Sequence, residues 1–295
     1  MAACGRFAFE SHDDGGRPVD TAVDTAPTAD APVCSAVTTN DWIASAMPRD
    51  ADKKYTVSQD GTVVHDTVTG LVWEHLPTAS TYDFAGATAY CTSLSLGGCT
   101  HWRVPQRIEL ASIVEHDFQS PVVNQGVFPS TSTDAPYWTT STQAGSPTNR
   151  WVVNLDNGNT FFQSAQPYHV WCVSGGALGT VPPARYEVGS TLVIDRDTQL
   201  VWTRNVDVTT YTQSGAAAQC ASGAMRLPEI QELETLIDSS MASPAIDPTA
   251  FPSTPSAVFW SSSMFGPAAG MVIDFTTGNI VNALPSDTYV IRCVN

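Results

Sequence analysis

A chain of 295 residues with 42% hydrophobic content is long for one domain and can build two cores of roughly 110–120 residues each. Its 29 acidic and 13 basic side chains leave a formal charge of -16 and a pI near 4.4, a surface that repels phosphate backbones and anionic lipid and argues against nucleic acid as a partner. No run of eighteen apolar residues occurs, so no transmembrane span is expected; seven cysteines without a C-x-x-C pair argue against a thiolate zinc site and fit disulfides formed after export.

At the start of the chain, Ala2-Ala3-Cys4-Gly5 has the look of the end of a bacterial lipoprotein signal, although only Met1 stands where an apolar segment belongs. Two readings stand. Either Cys4 carries a lipid anchor, which leaves six cysteines for three pairs, or the triplet is a chance occurrence at a start codon. Residues 1–50 read as a leader and a flexible acidic leash, because 10–33 are mostly Asp, Thr, Ala, Pro and Gly and bury too little apolar surface to offset the entropy of ordering.

The rest of the chain is a repeat. Val63-Val64-His65-Asp66-Thr67-Val68-Thr69-Gly70-Leu71-Val72-Trp73 reads as two short strands around a turn, and Leu192-Val193-Ile194-Asp195-Arg196-Asp197-Thr198-Gln199-Leu200-Val201-Trp202 repeats it 129 residues later. The same offset carries Cys91 onto Cys220. Six residues are then missing from the second copy, after which Arg103-Val104-Pro105 aligns with Arg226-Leu227-Pro228 and Glu109-Leu110 with Glu232-Leu233. Phe128-Pro129 falls on Phe251-Pro252, Tyr137-Trp138-Thr139 on Phe259-Trp260-Ser261, 154–158 on 274–278, and Cys172-Val173 on Cys293-Val294.

Each copy predicts the same elements in order. After the Trp-ending hairpin comes a short Ala-rich helix, 85–94 or 216–221. A second helix follows Arg-x-Pro, where proline suits a first turn whose N–H groups lack partners; Leu110, Ile113 and Val114, or Ile230, Leu233 and Ile237, give it one buried face. A Pro- and Ser-rich loop leads to three strands, with Gly158 and Gly278 supplying the positive φ of a tight turn. Gln199 stands where Gly70 marks the first turn, so a different turn geometry is expected there. The repeat pairs Cys91 with Cys172 and Cys220 with Cys293, each within its own copy. Cys34 and Cys99 have no counterpart in the second copy and are expected to pin the leash to the first module.

Several motifs together resemble one bacterial family: Asp-x-x-Thr-Gly-Leu-Val-Trp, Ala-x-x-Tyr-Cys, Leu-Gly-Gly, Trp-Arg-Val-Pro-x-Arg-Ile-Glu-Leu, Tyr-Trp-Thr-Thr-Ser and a terminal Val-Ile-Arg-Cys-Val. The family is named for the C-terminal domain of the Legionella collagen-like adhesin, and the resemblance covers 55–174 and 186–295. It implies an α+β fold of two tandem C-type-lectin-like modules, related to C-type lectins and to the formylglycine-generating enzyme. The best-known member of the family binds sulfated glycosaminoglycans. A chain charged at -16 should not attract a polysulfate, so that ligand class does not carry over.

Candidate residues divide between structure and function. Trp73, Trp138, Trp202 and Trp260 occupy equivalent places and read as core. Arg103 with Glu109, and Arg226 with Glu232, read as ties between a loop and its own helix, or as charged pairs in a pocket. Trp151, Phe161, Phe162, Tyr168, His169 and Trp171 crowd the last hairpin of the first copy, where the second has Met271, Val281, Asn282 and Arg292. These six are the candidate ligand-binding residues, as an aromatic platform for a sugar or a protein; the alternative is core or an interface with the second module. The Ser/Thr/Gly-rich stretches 141–150 and 262–270 read as recognition loops on a rigid scaffold.

No catalytic residue is assigned. The six histidines, His12, His65, His75, His101, His116 and His169, show no metal-ligand spacing, and no nucleophile elbow or Walker loop occurs. The disulfides occupy the thiols that formylglycine-type oxidation needs. No cofactor is expected; calcium is compatible with the fold relatives and the acidity, but no ligand string for it is present. The sequence therefore points to an extracellular or outer-membrane surface protein, lipid-anchored if Cys4 is modified, that holds a surface glycan or protein ligand. A structural building block is the alternative and a degenerate enzyme the third reading.

Overall fold

The computed structural model describes residues 50–175, 185–206 and 208–295, so the expectations for Cys4, Cys34 and nearly all of the leash fall outside the described residues. The first module begins with a 3-10 turn at Asp50–Asp52 and continues with β1 Tyr55–Val57, β2 Val63–Asp66, β3 Val72–Glu74, α1 Phe84–Ser93, β4 Trp102–Arg103, α2 Arg107–Ala111, β5 Tyr137–Gln143, β6 Ser146–Val153, β7 Thr160–Gln163 and β8 Val173–Ser174. The second contains β9 Tyr186–Val188, β10 Leu192–Asp195, β11 Val201–Thr203, α3 Gln213–Ser222, α4 Ile230–Glu234, β12 Val258–Phe265, β13 Ala269–Asp274 and β14 Asn279–Ala283. All neighbouring strands in the sheets pair antiparallel, and the class is α+β.

In the first module a five-stranded sheet runs β1-β2-β3-β8-β4, with Val173 of β8 opposite both Trp73 and Arg103. The second module has β11-β10-β9, extended by single bridges from Val294 to Trp202 and to Arg226, the same two contacts in the repeat. Each sheet is tied to its first helix by a disulfide, Cys91–Cys172 and Cys220–Cys293, as the repeat requires. The bridged residues are 81 and 73 apart, which on the chain-entropy account is worth about 4–5 kcal/mol each. Cys99 is also disulfide-bonded, on the six-residue insertion that only the first module carries. A Cβ at Gly97 on that insertion would meet the side chain of Val63 at 2.7 Å, so the insertion covers the outer face of β2; in the second module the equivalent Leu192 is exposed.

The four repeated tryptophans are buried, as their equivalence predicts. Trp138 and Trp260 each donate their indole N–H to a backbone carbonyl just before the first helix, of Tyr82 and Tyr211 respectively. Arg103 and Glu109 form a two-pronged pair at 2.7 Å, and Glu109 also accepts the N–H of Gln106; Arg226, Glu232 and Glu229 repeat the arrangement. These charges tie the Arg-x-Pro segment to the first turn of the helix that follows.

Three expectations need correction. Helices α2 and α4 are five residues long and buried on every side rather than on one, and the proline lies one residue before the N-cap; a capping box, not proline, closes the first turn. Gln199 keeps the left-handed turn of Gly70, at φ 60° against 73°, with its side-chain amide donating to the Arg196 carbonyl. The stretches 141–150 and 262–270 belong largely to the hairpins β5–β6 and β12–β13, in which long strands continue to the turns.

The two modules meet in one six-stranded sheet of order β12-β13-β14-β7-β6-β5. The joint is the pairing of Thr160 with Ile280, which occupy the same place in the repeat, as expected where a two-fold axis passes between equivalent surfaces. Ile280 N–H donates to Thr160 Oγ1 at 3.2 Å. Behind the sheet Arg107 of α2 pairs with Glu234 of α4 at 2.7 Å, both side chains 4% exposed. The swapped positions in the repeat are Ile230 and Ala111, so one polar pair crosses the joint and its symmetry mate is apolar. Phe265 packs against the cores of both modules.

Glu234→Ala is expected to cost about 3–5 kcal/mol, because it leaves the Arg107 guanidinium buried without its carboxylate. Arg107→Leu with Glu234→Leu should recover most of that loss. Equilibrium denaturant unfolding measures both, and a double variant as unstable as the single one would contradict the assignment.

Candidate functional site

The six aromatic candidates do not form one surface. Trp151, His169 and Trp171 are each no more than 1% exposed. Trp151 lies at the module joint, its ring 5.0 Å from the Arg107 guanidinium and 3.4 Å from where a Cβ of Gly278 would stand. Trp171 packs edge-on to Trp73 and Phe128 and donates its indole N–H to the Glu74 carbonyl at 2.7 Å. His169 bonds Asp134 at 2.8 Å, and Tyr168 packs on Trp138. Phe161 and Phe162 keep part of their surface, but neighbours on a strand point to opposite faces and cannot make one platform. Core and interface therefore account for Trp151 and Trp171, which present no face for a sugar to stack on. Arg292, in the place of Trp171, fills the same slot and donates to the equivalent Thr203 carbonyl, with its guanidinium 4.6 Å over Phe251.

The joint instead builds a cleft of about 530 Å³, a volume in the usual range for small-ligand sites. Its walls come from both modules: His116, Asp117 and Gln119 from the first, Glu229, Gln231, Ser262, Ser263, Met264 and Gly266 from the second, with Asp50 across the top. Asp50 is the clasp. Its Oδ1 accepts from Lys53 Nζ at 2.7 Å and from Gln231 Nε2 at 2.8 Å, and its Oδ2 from the His116 N–H at 2.8 Å. Lys53, with a side chain 1% exposed, also donates to the Val114 carbonyl. At the rim Gly266, at φ 64°, lets Gln119 approach: a Cβ there would stand 2.7 Å from Gln119 Nε2.

Each wall residue is placed by a local device. Glu229 is the N-cap of α4, and its side chain accepts a backbone N–H of the first turn. Ser263 accepts the N–H of Ile230 at 3.0 Å, and Ser262 donates to the Pro228 carbonyl at 3.1 Å, which holds β12 against the start of α4. Gln231 is 2% exposed, and its Oε1 has no hydrogen-bond partner among the described residues. Among the described residues no group of three or more His, Cys, Asp or Glu side chains is arranged to hold a metal ion.

Of these residues, sequence reasoning singled out only the 262–270 stretch as a recognition region. The signal for the rest was in the repeat: His116, Asp117, Glu229 and Gln231 face Ser239, Ser240, Gln106 and Ile108 in the other copy. Differences at the last hairpin drew attention instead, because aromatic residues there are conspicuous.

Burial shifts two neighbouring groups here, the wall residue His116 and Glu115 beside it. Burial raises Glu115 to about 7, opposed by Lys53 and aided by Asp50 and Asp117. Burial lowers His116 to about 4, opposed by Asp50 and aided by Lys53. Between pH 4.5 and 7 Glu115 is protonated when folded and ionised when unfolded, so its contribution to stability falls as pH rises. Between pH 4 and 6.5 His116 is neutral when folded and charged when unfolded, so its contribution falls as pH drops. Glu115→Gln should therefore make stability rise more steeply from about pH 5 to 7, and His116→Gln should flatten or invert that slope. Denaturant midpoints across that range check it; slopes changed in the opposite senses would refute the two assignments.

The Lcl C-terminal domain family matches residues 62–174 and 191–295. No curated protein matches the chain. Among the described residues no helix is long and apolar enough to cross a membrane, and the disulfides are consistent with an extracellular protein. With two matches that together span most of its length and coincide with the two modules of the structure, the chain belongs to the Lcl C-terminal domain family, in two tandem copies.

Proposed function

We propose that this chain is a surface-located or secreted ligand-binding protein of the adhesin type, with two C-type-lectin-like modules presented on the acidic leash and tethered by lipid if Cys4 is modified. It holds a carbohydrate or protein ligand in the cleft between the modules and is not an enzyme. The carrying observation is the cleft itself: both copies wall it, and His116, Asp117, Gln119, Glu229 and Gln231 in its lining stand where the other copy has Ser239, Ser240, Ala242, Gln106 and Ile108, while Ser263 is shared with Ser141. Positions shared by the copies maintain the scaffold, whereas unshared positions grouped around one cavity are free to serve recognition. Family membership supports the adhesin-like part of the reading.

A structural building block is the second reading, supported by one observation. Leu192 and Ile194 lie two residues apart on β10, so both are on the outer face that the missing insertion leaves bare, 42% and 37% exposed. A second copy of this chain would be the partner for that face.

Arrays of bacterial and host-surface glycans and proteins, probed at modest salt with and without calcium, test the proposal. The full chain should bind a subset; Ser262→Trp, which fills the cleft mouth, should weaken binding at least about tenfold, and Phe161→Ala should leave it unchanged. Binding indifferent to Ser262→Trp would remove the cleft from the account. Silence on the arrays together with self-assembly that Leu192→Asp abolishes would establish the building-block reading instead.

A further inference from the structure

We propose that the first module holds a hard cation of the calcium class in its interior, at Asp66, Glu115, the Tyr55 hydroxyl and the Ser112 carbonyl, in the place where the second module holds the guanidinium of Arg185. The proposal does not depend on the reading of the cleft.

A comparison of the two copies carries it. In the second module the buried Asp195 accepts from Arg185 on both oxygens, from Nε on Oδ1 at 3.1 Å and from Nη2 on Oδ2 at 2.6 Å. The same Nη2 donates to the Thr235 carbonyl at 2.9 Å, and the guanidinium stands 4.6 Å from the Tyr186 ring. The first module repeats the surroundings. Tyr55 faces Asp66 as Tyr186 faces Asp195, and the Ser112 hydroxyl donates to the Glu109 carbonyl at 2.6 Å just as Thr235 donates to that of Glu232. Asp66 also keeps the orientation of Asp195: its Oδ1 accepts the turn N–H groups of Val68 and Thr69, at 2.9 and 3.1 Å, where Asp195 Oδ1 accepts that of Asp197. Its Oδ2 is therefore aimed at the position that Arg185 fills in the sister module.

What differs is the cation. The residue in the register of Arg185 is Lys54, and its ammonium does not reach Asp66, whose Oδ2 has no hydrogen-bond partner among the described residues. Two more buried atoms share that state, the Tyr55 hydroxyl and Glu115 Oε1, and the charges of Asp66 and Glu115 both act on that hydroxyl. Asp66 is 1% exposed and Glu115 7%. Buried carboxylate oxygens without a donor or a cation are costly, and the sister module shows the remedy. Lys53 brings one positive charge into this region, but its ammonium is engaged by Asp50 at 2.7 Å and by the Val114 carbonyl. Burial accordingly holds both carboxyls above their ordinary range.

The donor set selects the ion. It contains oxygen alone, two carboxylates with a phenol and a backbone carbonyl, which suits a hard cation rather than a transition metal. Calcium accepts irregular sets of protein oxygens, whereas magnesium demands an octahedron and keeps its waters, so an interior site of this composition favours calcium. Two carboxylates balance its charge. Tyr55 opens β1 two residues after Lys53, which holds Asp50, so the cation stiffens the segment that brings Asp50 to the module joint.

The full chain, freed of metal with a chelator and kept at constant ionic strength and neutral pH, is titrated with calcium chloride in a calorimeter, and its denaturant midpoint is measured with and without the ion. One calcium should bind per chain, with a Kd on the order of 10⁻⁴–10⁻³ M as in other extracellular modules, and should raise the midpoint. Magnesium should bind at least about tenfold more weakly. Asp66→Asn, which keeps an acceptor for the turn, should weaken calcium at least about tenfold. Lys54→Arg, which installs the residue of the sister module, should raise the metal-free midpoint and abolish calcium binding. Glu187→Gln, at an exposed position on β9, should change neither. A parent chain that binds no calcium would overturn the proposal; if Lys54→Arg still stabilised it, a proton rather than a metal would be what neutralises Asp66. Calcium binding that survives both Asp66→Asn and Lys54→Arg, or that magnesium matches, would place the ion elsewhere on the acidic surface and overturn the proposal as well.

Discussion

Thr160 and Ile280 are the same position of two copies of one unit, and they pair with each other. That contact turns two three-stranded hairpin sheets into one sheet of six and sets the two sister helices α2 and α4 against each other behind it. It also fixes a consequence for the sequence. Equivalent surfaces facing across a two-fold axis need not remain alike once the units are covalently joined, because each copy can change without changing the other. The chain uses that freedom at the joint, where a buried ion pair stands on one side and Ile230 and Ala111 occupy the swapped positions.

The same freedom accounts for the cleft. The shared residues, the Trp pairs, the Arg–Glu ties, the capped short helices and the disulfides, build two equivalent walls. The unshared ones differ on both walls of the cleft, Asp117 for Ser240 on the first module's side and Glu229 for Gln106 and Gln231 for Ile108 on the second's. Asp50 then bonds to both modules at once, through the His116 N–H and the Gln231 side chain, at the edge of the cleft. The cleft and the module joint therefore converge on a few residues. The acidic neighbours that raise Glu115 belong to the same cluster.

Much of the fold was legible in the sequence. A repeat with matched cysteines leaves little choice of pairing, and Trp73 with Trp202 or Trp138 with Trp260 could be read as core because large aromatics at equivalent places of two copies bury the area each core needs. Three things were not legible. The helices after Arg-x-Pro show one apolar face, but the sister module covers the other, so Arg107 and Glu234 read as surface residues until the joint is known. Trp151 read as a candidate platform for the same reason. Gln199 read as a change of turn, although a glutamine can hold the left-handed backbone when its side chain caps a nearby carbonyl. The cleft was the least legible feature, since its residues come from positions near 50, 117, 230 and 263 and are brought together only by the pairing of the two copies.

Scanning calorimetry of the full chain bears most directly on the claim that the joint makes one cooperative body of two repeats. The account predicts a single transition whose calorimetric and van't Hoff enthalpies agree. Two resolved transitions, each carrying the enthalpy of one module, would mean that Thr160 and Ile280 do not hold the copies together, and neither the cleft nor its chemistry would survive that result.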